Sequence, residues 1–116
     1  MKYDNSNIFA RILRKEIPTE IILENEHAIS FKDISPRAPV HILVIPKKNY
    51  IKYSDFIRKA SKEEIFLFFK LLNDLIDKFN LEHSGYRLIT NGGDDANQEV
   101  PHLHFHLLGG HNLGPM

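Results

Sequence analysis

Residues 102 to 107 read His-Leu-His-Phe-His-Leu, three imidazoles at two-residue intervals with large apolar side chains between them. Successive side chains of a β-strand point to opposite sides, so His102, His104 and His106 are predicted to share one face and Leu103, Phe105 and Leu107 the other. The row therefore asks for a sheet with a core on one side and a site on the other. At about 3.3 Å per residue the rings stand roughly 6.5 to 7 Å apart. Charging all three is costly, because repulsion and partial burial both favour the neutral forms. At neutral pH at least one imidazole is expected to keep a free lone pair, ready to act as nucleophile or base.

The remaining chain supplies partners for that strand. Ser6 or Asn7 can cap a short helix from Ile8 to Lys15, and Pro18 marks its end. Ile21 to Leu23 and Ala28 to Phe31, separated by Glu24-Asn25-Glu26, read as a hairpin. The two prolines of Asp33-Ile34-Ser35-Pro36-Arg37-Ala38-Pro39 make a stiff loop. Val40 to Ile45 is almost wholly apolar, as a central strand covered on both faces should be, with His41 its one polar interruption. From Ser61 the period changes. Ser61 and Glu64 form a capping-box pair, and Ile65, Phe68, Phe69, Leu72, Leu75, Ile76 and Phe79 recur at three and four, a long amphipathic helix. Phe66, Leu67 and Leu71 lie off that stripe, which suggests a subunit interface. Tyr86 to Thr90 and Val100 to Leu108 read as the last two strands, joined by a polar Gly-rich loop and ended by Gly109-Gly110. The order predicts an α+β domain around an antiparallel sheet.

At 116 residues the chain suits a single domain, 1–116, able to bury a core without staples. Fifteen Lys and Arg balance fifteen Asp and Glu, so no overall field draws it to nucleic acid or an anionic membrane, and a small-molecule ligand is the better expectation. The absence of cysteine excludes disulfides and thiol chemistry, and a cytoplasmic home is expected. Residues 1–7 show no secretory signal, and the greasiest stretch, Ile65 to Ile76, is interrupted by Lys70, Asn73 and Asp74 and is too short to span a bilayer.

The histidine row admits plainer readings. A solvated edge-strand face would be mixed Thr, Lys, Glu and Ser rather than three histidines in step. Zinc could use two histidines and a third from elsewhere, such as His41, but His102 and His106 are roughly 13 Å apart along the strand, so one ion does not easily use both. No metal and no cofactor is expected. His41 can be a hydrogen-bonded core residue that also orients the row through His102.

His102-Leu103-His104-Phe105-His106-Leu107-Leu108 has the His-X-His-X-His-X-X form of the histidine triad superfamily. Ile8-Phe9, Arg14 to Pro18, Phe31 to Pro36, Ala38-Pro39, His41, Val44 to Lys48, Asn91, Gln98 and Leu108-Gly109-Gly110 are similar to its HINT branch, the histidine triad nucleotide-binding proteins. The resemblance covers nearly the whole chain. It implies a HIT-like fold, a five-stranded antiparallel sheet with one short and one long helix per protomer, continued across a homodimer. It also implies purine nucleotide binding and metal-free hydrolysis of nucleoside phosphoramidates and acyl-nucleotidylates. By position His104 would be the nucleophile, forming a nucleotidyl-histidine intermediate, with His106 donating to phosphoryl oxygens or the leaving group and His102 with His41 as a supporting relay. Asn91 and backbone amides near Glu99 and Val100 would meet the phosphate, together with the Gln98 position, and Asp33 would accept the ribose hydroxyls. Ile8, Phe9, Ile12, Ile17, Phe31, Ile34 and Leu43 would clasp the base. The chain departs from many relatives at Glu99, where they carry a small hydroxyl residue, and at Pro101, where they carry an aromatic. Two other functions fit the same row: a nucleotide-binding regulatory module with vestigial hydrolysis, and a zinc-dependent hydrolase.

Overall fold

The computed structural model describes residues 2–116. Of the two candidate caps for helix α1 (Ile8–Leu13), Asn7 is the one used: its Oδ1 accepts from the Ala10 N–H at 2.9 Å. The helix stops two residues short of the predicted Lys15 because the backbone turns left-handed there, with φ 62°. The N–H groups of Lys15 and Glu16 donate to the carbonyls of Ile12 and Arg11, both at 3.0 Å, the paired closure of a Schellman motif.

Strands β1 (Ile21–Glu24) and β2 (Ala28–Lys32) form the predicted hairpin, and β3 (Val40–Pro46) follows the proline loop. Next come α2 (Tyr53–Lys59), α3 (Lys62–Lys78) and α4 (Leu81–Ser84), then β4 (Tyr86–Ile89), a single 3₁₀ turn at Asp94–Ala96, and β5 (Phe105–Gly109). The expected short and long helices are α1 and α3, and α2 and α4 join them, so that the described residues hold four α-helices. Helix α2 buries only Phe56 and α4 is a single turn, so neither writes an apolar period into the sequence. Among the described residues, no helix is long and apolar enough to cross a membrane.

The sheet has five antiparallel strands in the order β1-β2-β3-β5-β4, as expected. Strand β3 lies at its centre and alternates between two layers. Ile42 and Val44 pack with Phe56, Phe68, Leu72 and Leu75 beneath α2 and α3. Leu43 and Ile45 pack with Phe9, Ile12 and Phe31 beneath α1. Being covered on both sides explains a run that is apolar at every position but His41. Helix α3 opens with the predicted capping box, Ser61 Oγ accepting from the Glu64 N–H at 3.1 Å and Glu64 Oε1 accepting from the Ser61 N–H at 3.3 Å. Leu71, off the expected stripe, is buried, whereas Phe66 stays 64% exposed. Gly110 ends β5 at φ 98°, where a Cβ would stand 2.8 Å from the Pro39 ring.

Candidate active site

The register of the two central strands builds the site. Leu43 of β3 faces His106 of β5, and His41 faces Leu108, so these four residues lie on the α1 side of the sheet. Phe105 and Leu107 point the other way, into the core beneath α3. The expectation of one strand from Val100 to Leu108 needs correction, because β5 begins only at Phe105. Pro101 has no N–H for a ladder, and the residues between it and Phe105 are tied elsewhere. His102 N–H donates to the Val100 carbonyl at 2.8 Å, Leu103 N–H to that of Tyr50 at 2.7 Å, and Thr90 Oγ1 to that of His104 at 2.8 Å. The three histidines therefore do not share one open face. His102 is wholly buried, His104 is 8% exposed, and His106 is half-buried.

Each ring is fixed by acceptors that decide where its proton sits. His102 Nε2 lies 2.9 Å from the Pro46 carbonyl, which can only accept, so Nε2 carries the hydrogen and Nδ1 accepts from the Tyr3 hydroxyl at 2.5 Å. His104 Nδ1 lies 2.8 Å from the His102 carbonyl, so Nδ1 carries the hydrogen and Nε2 keeps its lone pair. The amide of Arg37 donates to His41 Nδ1 at 3.0 Å, which puts the His41 hydrogen on Nε2, 2.9 Å from His106 Nδ1. His106 then accepts at Nδ1 and bears its own hydrogen on Nε2. The expected pairing of His41 with His102 is corrected: His41 pairs with His106, while His102 acts from beneath through its carbonyl.

All four assignments require neutral rings, and the surroundings enforce them. Burial lowers the pKa of His102 to about 4, opposed by the hydrogen bond to the Pro46 carbonyl. Burial, then the neighbouring His104 and His41, lowers that of His106 to about 4. Burial also lowers the pKa of His104, opposed by its hydrogen bond to the His102 carbonyl and by the charges of Asp33 and Glu99. His41 is lowered by burial against the pull of Asp33.

The rings open onto a cleft of about 830 Å³, large enough for a nucleotide-sized ligand. His41, His104 and His106 line it, and so do the expected Ile8, Phe9, Ile12, Ile17, Phe31, Ile34 and Leu43. Asp33, Asn91, Gln98, Glu99 and Val100 complete the set, while His102 does not reach the cleft. Asp33 serves its local turn and the site together: Oδ1 accepts from the Ser35 N–H at 2.8 Å, and Oδ2 stands 3.4 Å from His41 Nε2. Gln98 is occupied by its own loop, its Oε1 accepting from Gly93 N–H at 2.9 Å and its Nε2 donating to the carbonyls of Ile51 and Val100 at 2.7 and 3.1 Å. It shapes the wall and has no donor left for a phosphate. Asp94 and Asp95 are exposed and stay off the wall.

Sequence reasoning missed Thr19, Arg37 and Ile89 on the cleft wall, and Thr90, which clamps the His104 carbonyl. Ile89 could have been read from its alternation in β4, whereas nothing local marks the others. Asp33, His41 and His106 also offer ligand atoms within 4.8 Å of one another. A cation there would have to displace the hydrogen that His41 Nε2 gives to His106, since both nitrogens are spent on that bond.

A family profile described as HIT domain matches residues 14–113. The chain belongs to the HIT domain family. It is similar to a 13.2 kDa HIT-like protein of Azospirillum brasilense, 51% identical over 114 residues, 98% of this chain and 93% of the relative. It is also similar to the Escherichia coli K12 protein named purine nucleoside phosphoramidase, 38% identical over 109 residues, 94% of this chain and 91% of the relative. Among solved structures, a HIT family hydrolase from Legionella pneumophila superposes with a TM-score of 0.86 at 34% identity, over 94% of this chain and 96% of that one. A histidine triad protein from Clostridium difficile superposes at 0.84 and 34% identity, over 100% of this chain and 99% of that one. The HIT profile includes β5 and all three histidines of the row, and it begins at Arg14, after helix α1.

Proposed function

We propose that this HIT protein is a hydrolase of purine nucleoside phosphoramidates and acyl-nucleotidylates, working through a nucleotidyl-histidine at His104. The observation that carries this reading is the pair of tautomers: His104 holds a lone pair at Nε2 while His106 holds a hydrogen at Nε2, and both rings border the cleft at 5.2 Å between centroids. One ring is prepared to attack and its neighbour to donate.

In this reading His104 Nε2 bonds to the α-phosphorus as the P–N bond breaks; His106 donates its Nε2–H as a hydrogen bond at the departing amine, and the proton the amine takes up comes from water in the open cleft, because a neutral imidazole that lost its one hydrogen would be left an imidazolate. Water then attacks the nucleotidyl-histidine; its hydroxyl ends on phosphorus and its remaining proton replaces the one the amine removed. An acyl leaving group departs as a carboxylate and needs no proton. Asp33 lines the cleft and would accept ribose hydroxyls, and Phe9, Ile12, Phe31 and Leu43 offer an apolar wall to a base. The name of the Escherichia coli relative supports the purine and the P–N bond. A homodimer that continues the sheet is part of the proposal. It is supported by the exposed Tyr86, Leu88 and Ile89 on the edge strand β4 and by Phe66 on α3.

The test is single-turnover release of amine from an adenosine phosphoramidate by the wild type and by His104→Ala. The wild type is expected to release amine at least roughly a thousandfold faster, as for loss of a covalent nucleophile. Equal rates would end the claim of nucleophilic catalysis and leave a nucleotide-binding module.

A further inference from the structure

We propose that Tyr3 is a positioning residue of this centre: its hydroxyl fixes the ring of His102, and the carbonyl of His102 in turn fixes the reactive tautomer of His104. The inference rests on the reading of His104 as nucleophile. It adds a residue that stands outside the HIT profile, eleven positions ahead of its first residue.

The contact is built rather than incidental. Asn7, itself buried, folds the preceding segment back onto α1, its Nδ2 donating to the Asp4 carbonyl at 2.8 Å. Arg14 Nη1 donates to the carbonyl of Asn5 at 2.9 Å. Tyr3 is thereby set edge-on to the His102 ring, with centroids 5.6 Å apart. Its hydroxyl is 2.5 Å from Nδ1, and Phe9 closes the neighbouring edges of both His102 and His104. Burial raises the phenol pKa, so the hydroxyl stays a donor at neutral pH.

The hydrogen bonds form one directed chain, from Tyr3 O–H to His102 Nδ1 and from His102 Nε2–H to the Pro46 carbonyl. The His102 carbonyl then receives the Nδ1–H of His104. His102 is wholly buried, so no other donor among the described residues replaces the phenol. Without it, His102 Nδ1 is a buried acceptor with no partner, a state a ring avoids by turning or by moving its proton. Either response loosens the residue whose carbonyl holds His104 to Nδ1–H, and it admits the tautomer in which His104 Nε2 carries the hydrogen and cannot attack.

The experiment compares Tyr3→Phe and Tyr3→Leu with the wild type in protein carrying ¹⁵N-labelled histidine. Tyr3→Phe keeps the ring packing and removes only the hydroxyl, so a purely structural role predicts wild-type behaviour for it. The proposal predicts that its His102 Nδ1 resonance moves toward that of a free lone pair and that the single Nδ1–H pattern of His104 becomes mixed. It also predicts a fall in kcat of about tenfold, the scale of one hydrogen bond, with KM within twofold. Tyr3→Leu should match it. Unchanged ¹⁵N patterns for His102 and His104 in Tyr3→Phe would overturn the proposal, as would a wild-type kcat. Should the wild type release no amine at all, the proposed function falls, and the histidine resonances still decide the role of Tyr3.

Discussion

The assignments of ring protons all depend on His102 being neutral, and that neutrality has a thermodynamic consequence. A histidine whose pKa is about 6.5 in the unfolded chain and about 4 in the fold binds a proton on unfolding at any pH between those values. Its contribution to stability is whole above pH 6.5 and is lost progressively as pH falls through the window to 4. The span of about 2.5 pH units corresponds to about 3 kcal/mol, and near pH 5 the slope is about 1.2 kcal/mol per pH unit. Little screening reduces this for His102, which is wholly buried. His106 titrates in the same window and adds less, because water reaches part of its ring. Glu64, whose pKa is lowered despite its burial by hydrogen bonds from Tyr50, Ser61 and Lys48, contributes an acid dependence below the ordinary carboxylate range. Comparing two variants cancels that background. Urea unfolding at fixed protein concentration, at half-unit steps from pH 4 to 7.5, would be measured for the wild type and for His102→Gln, which keeps a donor and cannot titrate. The wild-type curve should be steeper by about 1.2 kcal/mol per pH unit near pH 5, and the two should run parallel above pH 7. Parallel curves across the whole range would mean that His102 is charged in the fold or open to water, and the chain of tautomers derived from it would be void.

Other consequences are open to measurement. His106→Gln puts an amide N–H in place of the ring donor at the departing amine, so hydrolysis of an adenosine phosphoramidate should fall about tenfold, the scale of one misplaced hydrogen bond, while that of an acyl-adenylate changes less; equal losses would remove its role at the leaving group. Lys15→Gly relieves a side chain held at φ 62° in the closing turn of α1, and should raise unfolding free energy by about 0.5–1 kcal/mol in denaturant titration without altering turnover.

What the sequence disclosed and what it withheld divide along a physical line. The apolar run of β3, the capping box of Ser61 and Glu64 and the stripe of α3 are periodic, and periodicity survives into the fold because packing rewards it on every turn. Nearly all the expected cleft residues came together for a related reason: the parity that sends Ile42 and Leu107 to the core sends Leu43 and His106 to the opposite layer. Helix α2 escaped notice because a seven-residue helix that buries Phe56 alone has no period to show. The same reliance on period misread the histidines. Equal spacing predicts one shared face for the three, but Pro101 and the loop bonds of Gln98 hold the chain out of the ladder until Phe105. That departure lets His102 be buried between Tyr3 and the Pro46 carbonyl and turn its own carbonyl to His104, an arrangement a regular strand could not make. In a continuous strand the carbonyl of residue 102 would belong to the ladder, and the Nδ1 of His104 would have to find another acceptor. The irregular backbone is thus what differentiates three equal imidazoles into a support, a lone pair and a donor.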